Sequence, residues 1–322
     1  MPQLIDVHRH LWGIDWFPPS HLGNPIRESA ARTGRTIEQV RERYKQSPTM
    51  ESSGAGAIAE MDHYGIDVSV ILGLDWGMAY GPEEDNELPL ETWHKYTAEA
   101  CERYPGRLHW CCGIDPRRPK CVSFLQECVK EWGAVGWKVY PPNGYQANAD
   151  FCLPMYRKCV ELDIPVLIHV DGRNRFTAPE WVAEVAKQFP DLRIMMGHTN
   201  LQLPFETGNY WRGLTTGTAR NVWLDICDWQ VLGAVEDENL AQLMKVIRVF
   251  LDVKGPDRIV WGTDLPQTGV GGKARSQTER WAEIFKNLPE WGEKYGIRFT
   301  EDERDGICNG AAKAVYRNVF RE

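Results

Sequence analysis

Eight histidines punctuate the chain, at positions 8, 10, 21, 63, 94, 109, 169 and 198, and four of them stand where short apolar runs end. In IDVHRH, Asp6, His8 and His10 are spaced two apart, so on an extended strand their side chains leave on one face. Two imidazoles at that spacing can meet one cation, with ring nitrogens about 2.0 to 2.1 Å from a zinc-like ion. His169 in VLIHVDG, His198 in MMGHTN and Asp264 in WGTDLP follow the apolar part of three further runs. A metal with three neutral imidazoles, one carboxylate and a position left for water is catalytic rather than structural. Singly, His169 reads more often as a hydrogen-bonded core histidine than as a ligand, and Asp264 reads equally as a turn or helix-capping residue. Joint placement carries the metal reading. His63 and His94 lie in helical patterns and His109 begins a strand, so all three read as structural, and only His21 of the remainder is placed to reach a substrate.

Something must bring these groups together. Eight apolar runs bounded by Gly, Pro, Asp or Asn occur at 4–10, 68–76, 108–115, 134–142, 164–172, 193–200, 222–228 and 258–266. Stretches of helical period alternate with them, as in AIAEMDHYGI, CVSFLQECVKEW and ENLAQLMKVIRVFL. Strand then helix, repeated, means parallel strands with crossover connections, and near-continuous apolar strands suit a sheet covered on both faces. The expected fold is therefore α/β, a (β/α)8 TIM barrel; an open doubly wound sheet would usually show a Gly-rich phosphate turn after its first strand, and none is present. Residues 11–56 are too many for an ordinary βα connection. They hold Trp12, Trp16, Phe17 and the polar helical stretch TIEQVRERYKQ, and an insertion there lies at the barrel's C-terminal mouth, where it would cover a substrate. No linker or repeat divides the chain, so residues 1–322 are expected to form a single barrel domain.

Of the 322 residues, 43% are hydrophobic, which excludes a disordered or fibrous chain. A net charge of −8 without a basic run argues against nucleic acid as a partner. No signal sequence and no apolar span long enough for a membrane is evident. The nine cysteines are odd in number, lack C-x-x-C and sit in apolar runs, so they read as reduced, buried thiols of a cytoplasmic protein.

The string from Asp6, His8 and His10 through LIHVDG, GHTN and WGTD to RDGICNGAAKAVYRN resembles the amidohydrolase superfamily, and within it the amidohydrolase-related branch that includes aminocarboxymuconate semialdehyde decarboxylase-like enzymes. The resemblance is weakest over 11–56. It implies that His8, His10, His169 and Asp264 hold one divalent metal, zinc first and manganese second, and that His198 is the unliganded acid or base. Lys138, in GWKVYPP, stands where some superfamily members carry a carbamylated lysine bridging two metals; this branch usually lacks that bridge, so Lys138 is a neighbour of the metal or a substrate contact. Dimers are common in the branch, which makes a homodimer the expected assembly.

Two reactions suit those residues. In hydrolysis, the metal lowers the pKa of water from about 15.7 to about 7, Asp264 takes a proton as hydroxide attacks an ester, lactone or amide, and His198 polarises the carbonyl or shuttles the proton. In decarboxylation, the metal stabilises the carbanion and Asp264 or His198 protonates carbon. A decarboxylase needs a cation for the substrate acid, and Arg173, Arg175, Arg212 and Arg220 are candidates; Arg9 points away from His8 and His10. Trp12, Trp16, Trp76 and Trp229, near strand ends, suit a small aromatic or carboxylated substrate. The branch's typical decarboxylases have His-Pro in the fifth strand, whereas this chain has His169-Val170, so hydrolysis is the leading expectation. A metal-free scaffold barrel would have lost a ligand position, and all four, with His198, are present.

Overall fold

Parallel pairing runs unbroken through eight strands in chain order. They are β1 (Ile5–Arg9), β2 (Val68–Leu72), β3 (Leu108–Gly113), β4 (Gly136–Val139), β5 (Val166–His169), β6 (Ile194–Gly197), β7 (Val222–Asp225) and β8 (Ile259–Val260). The computed structural model describes residues 2–76, 88–200, 209–269 and 271–320. Closure comes from β1 and the stretch after β8: Val7 N donates to Trp261 O at 3.1 Å, Asp264 N to His8 O at 2.7 Å and His10 N to Leu265 O at 2.7 Å. The expected (β/α)8 barrel is present.

Strand alternation sorts the core into two layers. Val70, Leu167, Met195 and Trp223 pack with Ala311, Val315 and Tyr316 of the C-terminal helical segment, while Trp110, Trp137, Ile168 and Met196, of the other parity, join the larger cluster beneath the surrounding helices. The strands are shorter than the apolar runs because each run continues past its last ladder bond into the mouth, which is where the histidines and aspartates lie.

One alternation fails. The register between β1 and β2 shifts between Asp6 and Arg9, as at a β-bulge, and Asp6 does not line the cavity that His8 and His10 line. The buried Asp6 carboxylate instead accepts from Thr263 N at 3.0 Å and Thr263 Oγ1 at 2.6 Å, fixing the residue next to Asp264. Arg9 does point away from the histidines, and pairs with Glu60.

Between β1 and β2 stand helices α1 (Pro19–Thr33), α2 (Ile37–Lys45) and α3 (Ala55–Tyr64). The polar stretch forms α2 as expected, opened by a capping box between Thr36 and Gln39; α1 was not anticipated, because its sequence carries Gly23 and Pro25 and few apolar residues. Ile14, Phe17, Ile26, Ala30 and Val40 form a small core of their own, against which Trp12 and Trp76 pack. The side chain of His21 lies outside the described residues.

Candidate active site

A cavity of about 220 Å³ opens at the C-terminal ends of the strands, and His8, His10, Lys138, His169, His198 and Asp264 all line it. Gly262 makes the approach possible: a Cβ there would stand 2.8 Å from the Cβ of His8 and 3.0 Å from that of Cys227. His198, Asp228 and Asp264 each adopt left-handed backbone, with φ of 61°, 71° and 56°. Non-glycine residues in that region cost about 1 to 3 kcal/mol each and cluster at functional sites. Here they end β6, β7 and β8 by turning three side chains inward.

His10 Nε2 lies 3.0 Å from Asp264 Oδ1, and His8 Nε2 lies 3.5 Å from the same oxygen. Donor atoms of His8, His10 and Asp264 all fall within 4.8 Å of one another, and all three residues are buried. Each imidazole is held from behind: His10 Nδ1 is 2.7 Å from Leu72 O, and His8 Nδ1 is 2.6 Å from Asp225 Oδ2. Both rear partners only accept, so both rings carry their proton on Nδ1 and turn an Nε2 lone pair towards the Asp264 carboxylate. Lone pair against carboxylate is repulsive unless a cation stands between them. Imidazole nitrogens with orienting partners behind, plus a buried carboxylate, form a donor set that fits zinc or manganese.

His169 stands beside this trio. Its Nδ1 is 3.0 Å from His198 Nε2, and its Nε2 is 3.4 Å from Asp171 Oδ2. His198 Nδ1 is in turn 3.3 Å from Cys227 Sγ. Lys138 Nζ, fully buried, sits 3.2 Å from His8 Nε2.

Burial holds His8 and His198 well below the usual histidine range, with the Lys138 ammonium adding to the effect on His8 and the neighbouring imidazoles to that on His198. Burial alone would raise the Asp264 carboxyl, but the close approach of His10 and His8 and the charge of Lys138 outweigh it and hold it below the usual carboxylate range. Asp228 goes the other way. Burial and the charge of Asp264 push it up to about 7.

Asp225, Cys227 and Asp228 were missed in the sequence, although all three belong to the run VWLDICD. The signal was the topology itself: every strand of a barrel delivers residues to one mouth, and the seventh was passed over for lack of a histidine. Of the four candidate arginines, only Arg173 lines the cavity. Arg212 is bound to Glu180 at 2.7 Å, Arg175 stacks on Phe176, and Arg220 precedes β7 at the far end of the barrel. Trp12 and Trp76 line the cavity, whereas Trp16 packs on Trp93, and Trp229 donates to His198 O at 3.1 Å from the core.

The walls are aromatic. His10 stacks on Trp12, Trp12 meets Phe17, and Phe17 meets Trp76, at ring separations of 5.5, 5.5 and 5.7 Å. Trp76 meets Tyr140 and Tyr140 meets His169, both at 5.1 Å. His169, His198, His8 and His10 complete the circuit at 4.5, 4.8 and 5.5 Å. Phe17, from the long insertion, ties the two indoles together. Of these rings, Trp12, Trp76 and Tyr140 line the cavity and offer an apolar surface to an occupant.

Among known proteins, a family model described as amidohydrolase matches residues 5–318. The chain is 24% identical over 255 residues to a 2-keto-4-carboxy-3-hexenedioate hydratase of Sphingobium sp., covering 68% of each. It superposes on a manganese-bound 5-carboxyvanillate decarboxylase of Novosphingobium aromaticivorans with a TM-score of 0.65 at 18% identity, over 98% of this chain and 97% of that one. A probable 2-pyrone-4,6-dicarboxylic acid hydrolase of Acinetobacter baumannii, with citric acid bound, gives a TM-score of 0.63 at 14% identity over 98% and 99% of the two chains. At such identities the superpositions show a common fold. Among the described residues no helix is long and apolar enough to cross a membrane.

Proposed function

The chain belongs to the amidohydrolase family, and from that premise we propose that it is a metal-dependent hydrolase acting on an ester, lactone or amide bond of a small carboxylated substrate. The observation that carries the reading is the convergence of His8, His10 and Asp264, whose donor atoms lie within 4.8 Å of one another at the floor of a cavity. With His169 they would hold one divalent ion, zinc first and manganese second. Such an ion, when bound, acidifies water and draws electron density from a substrate oxygen.

The chain's own groups do the rest. The ionised Asp264 carboxylate takes the proton of the attacking water at its oxygen and returns it to the leaving group. A His198 ring nitrogen lies within 4.8 Å of carboxylate oxygens of both Asp228 and Asp264, so a proton at any of the three can pass to the others through the bound substrate. Trp12, Trp76 and Tyr140 hold the body of the substrate and exclude water. Arg173, at the rim, takes a carboxylate, and the buried Lys138 ammonium orients an oxygen at the floor.

The probable 2-pyrone-4,6-dicarboxylic acid hydrolase supports this reading, and the Sphingobium hydratase, which adds water without cleaving a bond, shares with it only water as a reactant. Decarboxylation by the same groups is the second reading, favoured by the 5-carboxyvanillate decarboxylase neighbour and by the placement of Arg173. Incubating lactones and aromatic carboxylates with the enzyme in heavy-oxygen water separates the two. Label in the product supports hydrolysis; CO2 released without label in the organic product overturns it.

A further inference from the structure

Cys227 is buried among charged and titratable groups, yet no step above uses it. Its sulfur lies 2.9 Å from His8 Nδ1, 3.3 Å from His198 Nδ1 and 3.4 Å from Asp225 Oδ2. Asp225 is equally occupied: Oδ2 receives His8 Nδ1, and Oδ1 accepts from Cys227 N at 3.0 Å. We propose that Asp225 and Cys227 are positioning residues which, through His198, fix the tautomer of His169 so that its Nε2 is a lone pair, as the Asp225 carboxylate and the Leu72 carbonyl do directly for His8 and His10. The inference rests on the metal-dependent reading only for its purpose; the hydrogen-bond polarity stands on the contacts alone.

The order of donors follows from what each group can do. An ionised carboxylate only accepts, so the proton of His8 is on Nδ1 and the thiol facing the same oxygen points its S–H there. The sulfur lone pair is then left to accept from His198 Nδ1–H. A neutral ring protonated at Nδ1 accepts at Nε2, so His198 Nε2 receives the Nδ1–H of His169 at 3.0 Å. That leaves Nε2 of His169 as a lone pair, 3.4 Å from Asp171 Oδ2.

The opposite polarity would run from the thiol through His198 to His169, ending with His169 Nε2–H donating to Asp171 Oδ2. Both terminal contacts are 3.4 Å. For N–H···O that is beyond the usual range of about 2.7 to 3.2 Å, whereas the larger radius of sulfur makes it an ordinary S–H···O distance. Asp171 is anchored at its other oxygen, Oδ1, by the amide of Arg173 at 2.9 Å and the Thr177 hydroxyl, and so keeps its place without a proton from His169. Geometry therefore favours the polarity anchored at Asp225.

Two variants test this. Cys227→Ser keeps a group that both donates and accepts; Cys227→Ala removes it. Nitrogen-15 NMR of histidine-labelled, metal-free protein reads the tautomers, and calorimetric titration with zinc reads the binding site. The expected result is Nδ1–H on both His169 and His198 in the wild type and Cys227→Ser, with zinc affinity of the two within about threefold. Cys227→Ala is expected to lose that tautomer at His198 and to bind zinc about 10- to 100-fold more weakly, the range seen when partners behind a ligand are removed, while the metal-free protein still folds, with the circular dichroism of the wild type. Nε2–H on His169 in the wild type, or a Cys227→Ala protein with wild-type tautomers and zinc affinity, overturns the proposal. If the wild type binds no zinc, the metal reading fails while the NMR result still decides the polarity.

Discussion

The backbone amide of Asp264 donates to the carbonyl of His8 at 2.7 Å, so the chain's first and last strands are joined by the two residues that face each other across the cavity floor. Barrel closure and site assembly are one event, and a change to the Asp264 side chain leaves this backbone bond intact. Asp264→Asn is accordingly expected to fold and to lose turnover. A fall in kcat of about 10²- to 10⁴-fold is the range for removing a general base. Steady-state kinetics check this; wild-type kcat would remove Asp264 from the proton transfer.

His169 and His198 touch each other but carry different expected roles. His169→Ala should lose bound metal, whereas His198→Asn should still take up an ion at saturating zinc, more weakly because the relay to His169 is broken, and lose most of its turnover. Elemental analysis beside kinetics on the two proteins distinguishes them, and a His198→Asn enzyme as active as wild type would contradict the role given to His198.

Arg173 lines the cavity with a side chain 64% exposed, close to Asp171. Such a placement serves binding rather than chemistry. Arg173→Gln should raise KM for a carboxylated substrate about tenfold, equivalent to about 1.4 kcal/mol, with little change in kcat. An effect confined to kcat would place the arginine in the reaction instead.

Away from the site, His94 is buried against Trp93 with Nδ1–H donating to Leu90 O at 2.8 Å, and burial pushes its pKa down to about 3. A depressed histidine pKa means that the folded state keeps the ring neutral while the unfolded chain protonates it near pH 6.5. Its contribution is therefore intact above that value and is lost as pH falls towards 3. Between pH 7 and pH 5 the loss amounts to roughly 2 kcal/mol. Urea unfolding of wild type and His94→Leu at both pH values tests it: the variant's stability should fall less by about that amount, and parallel falls would refute the assignment.

Much of this site was legible because a barrel strand displays its chemistry at a predictable end. Apolar runs marked the eight strands, and the residues just beyond them, His8, His10, His169, His198 and Asp264, do line one cavity. What the sequence hid was of two kinds. The irregularity between Asp6 and Arg9 is a local register shift with no compositional mark. Asp225, Cys227 and Asp228 bear ordinary side chains whose role depends on which neighbours closure brings near, and the same holds for Arg212, whose partner Glu180 lies on another helix. Helix α1 escaped notice because its apolar pattern is sparse and a proline interrupts it.

The metal content of protein purified without chelator tests the proposed metal centre most directly. About one zinc or manganese ion per chain, lost on dialysis against a chelator together with activity and restored with it, is the expected result. Less than about 0.2 ion per chain, with no activity or ion uptake on adding either metal, would contradict it.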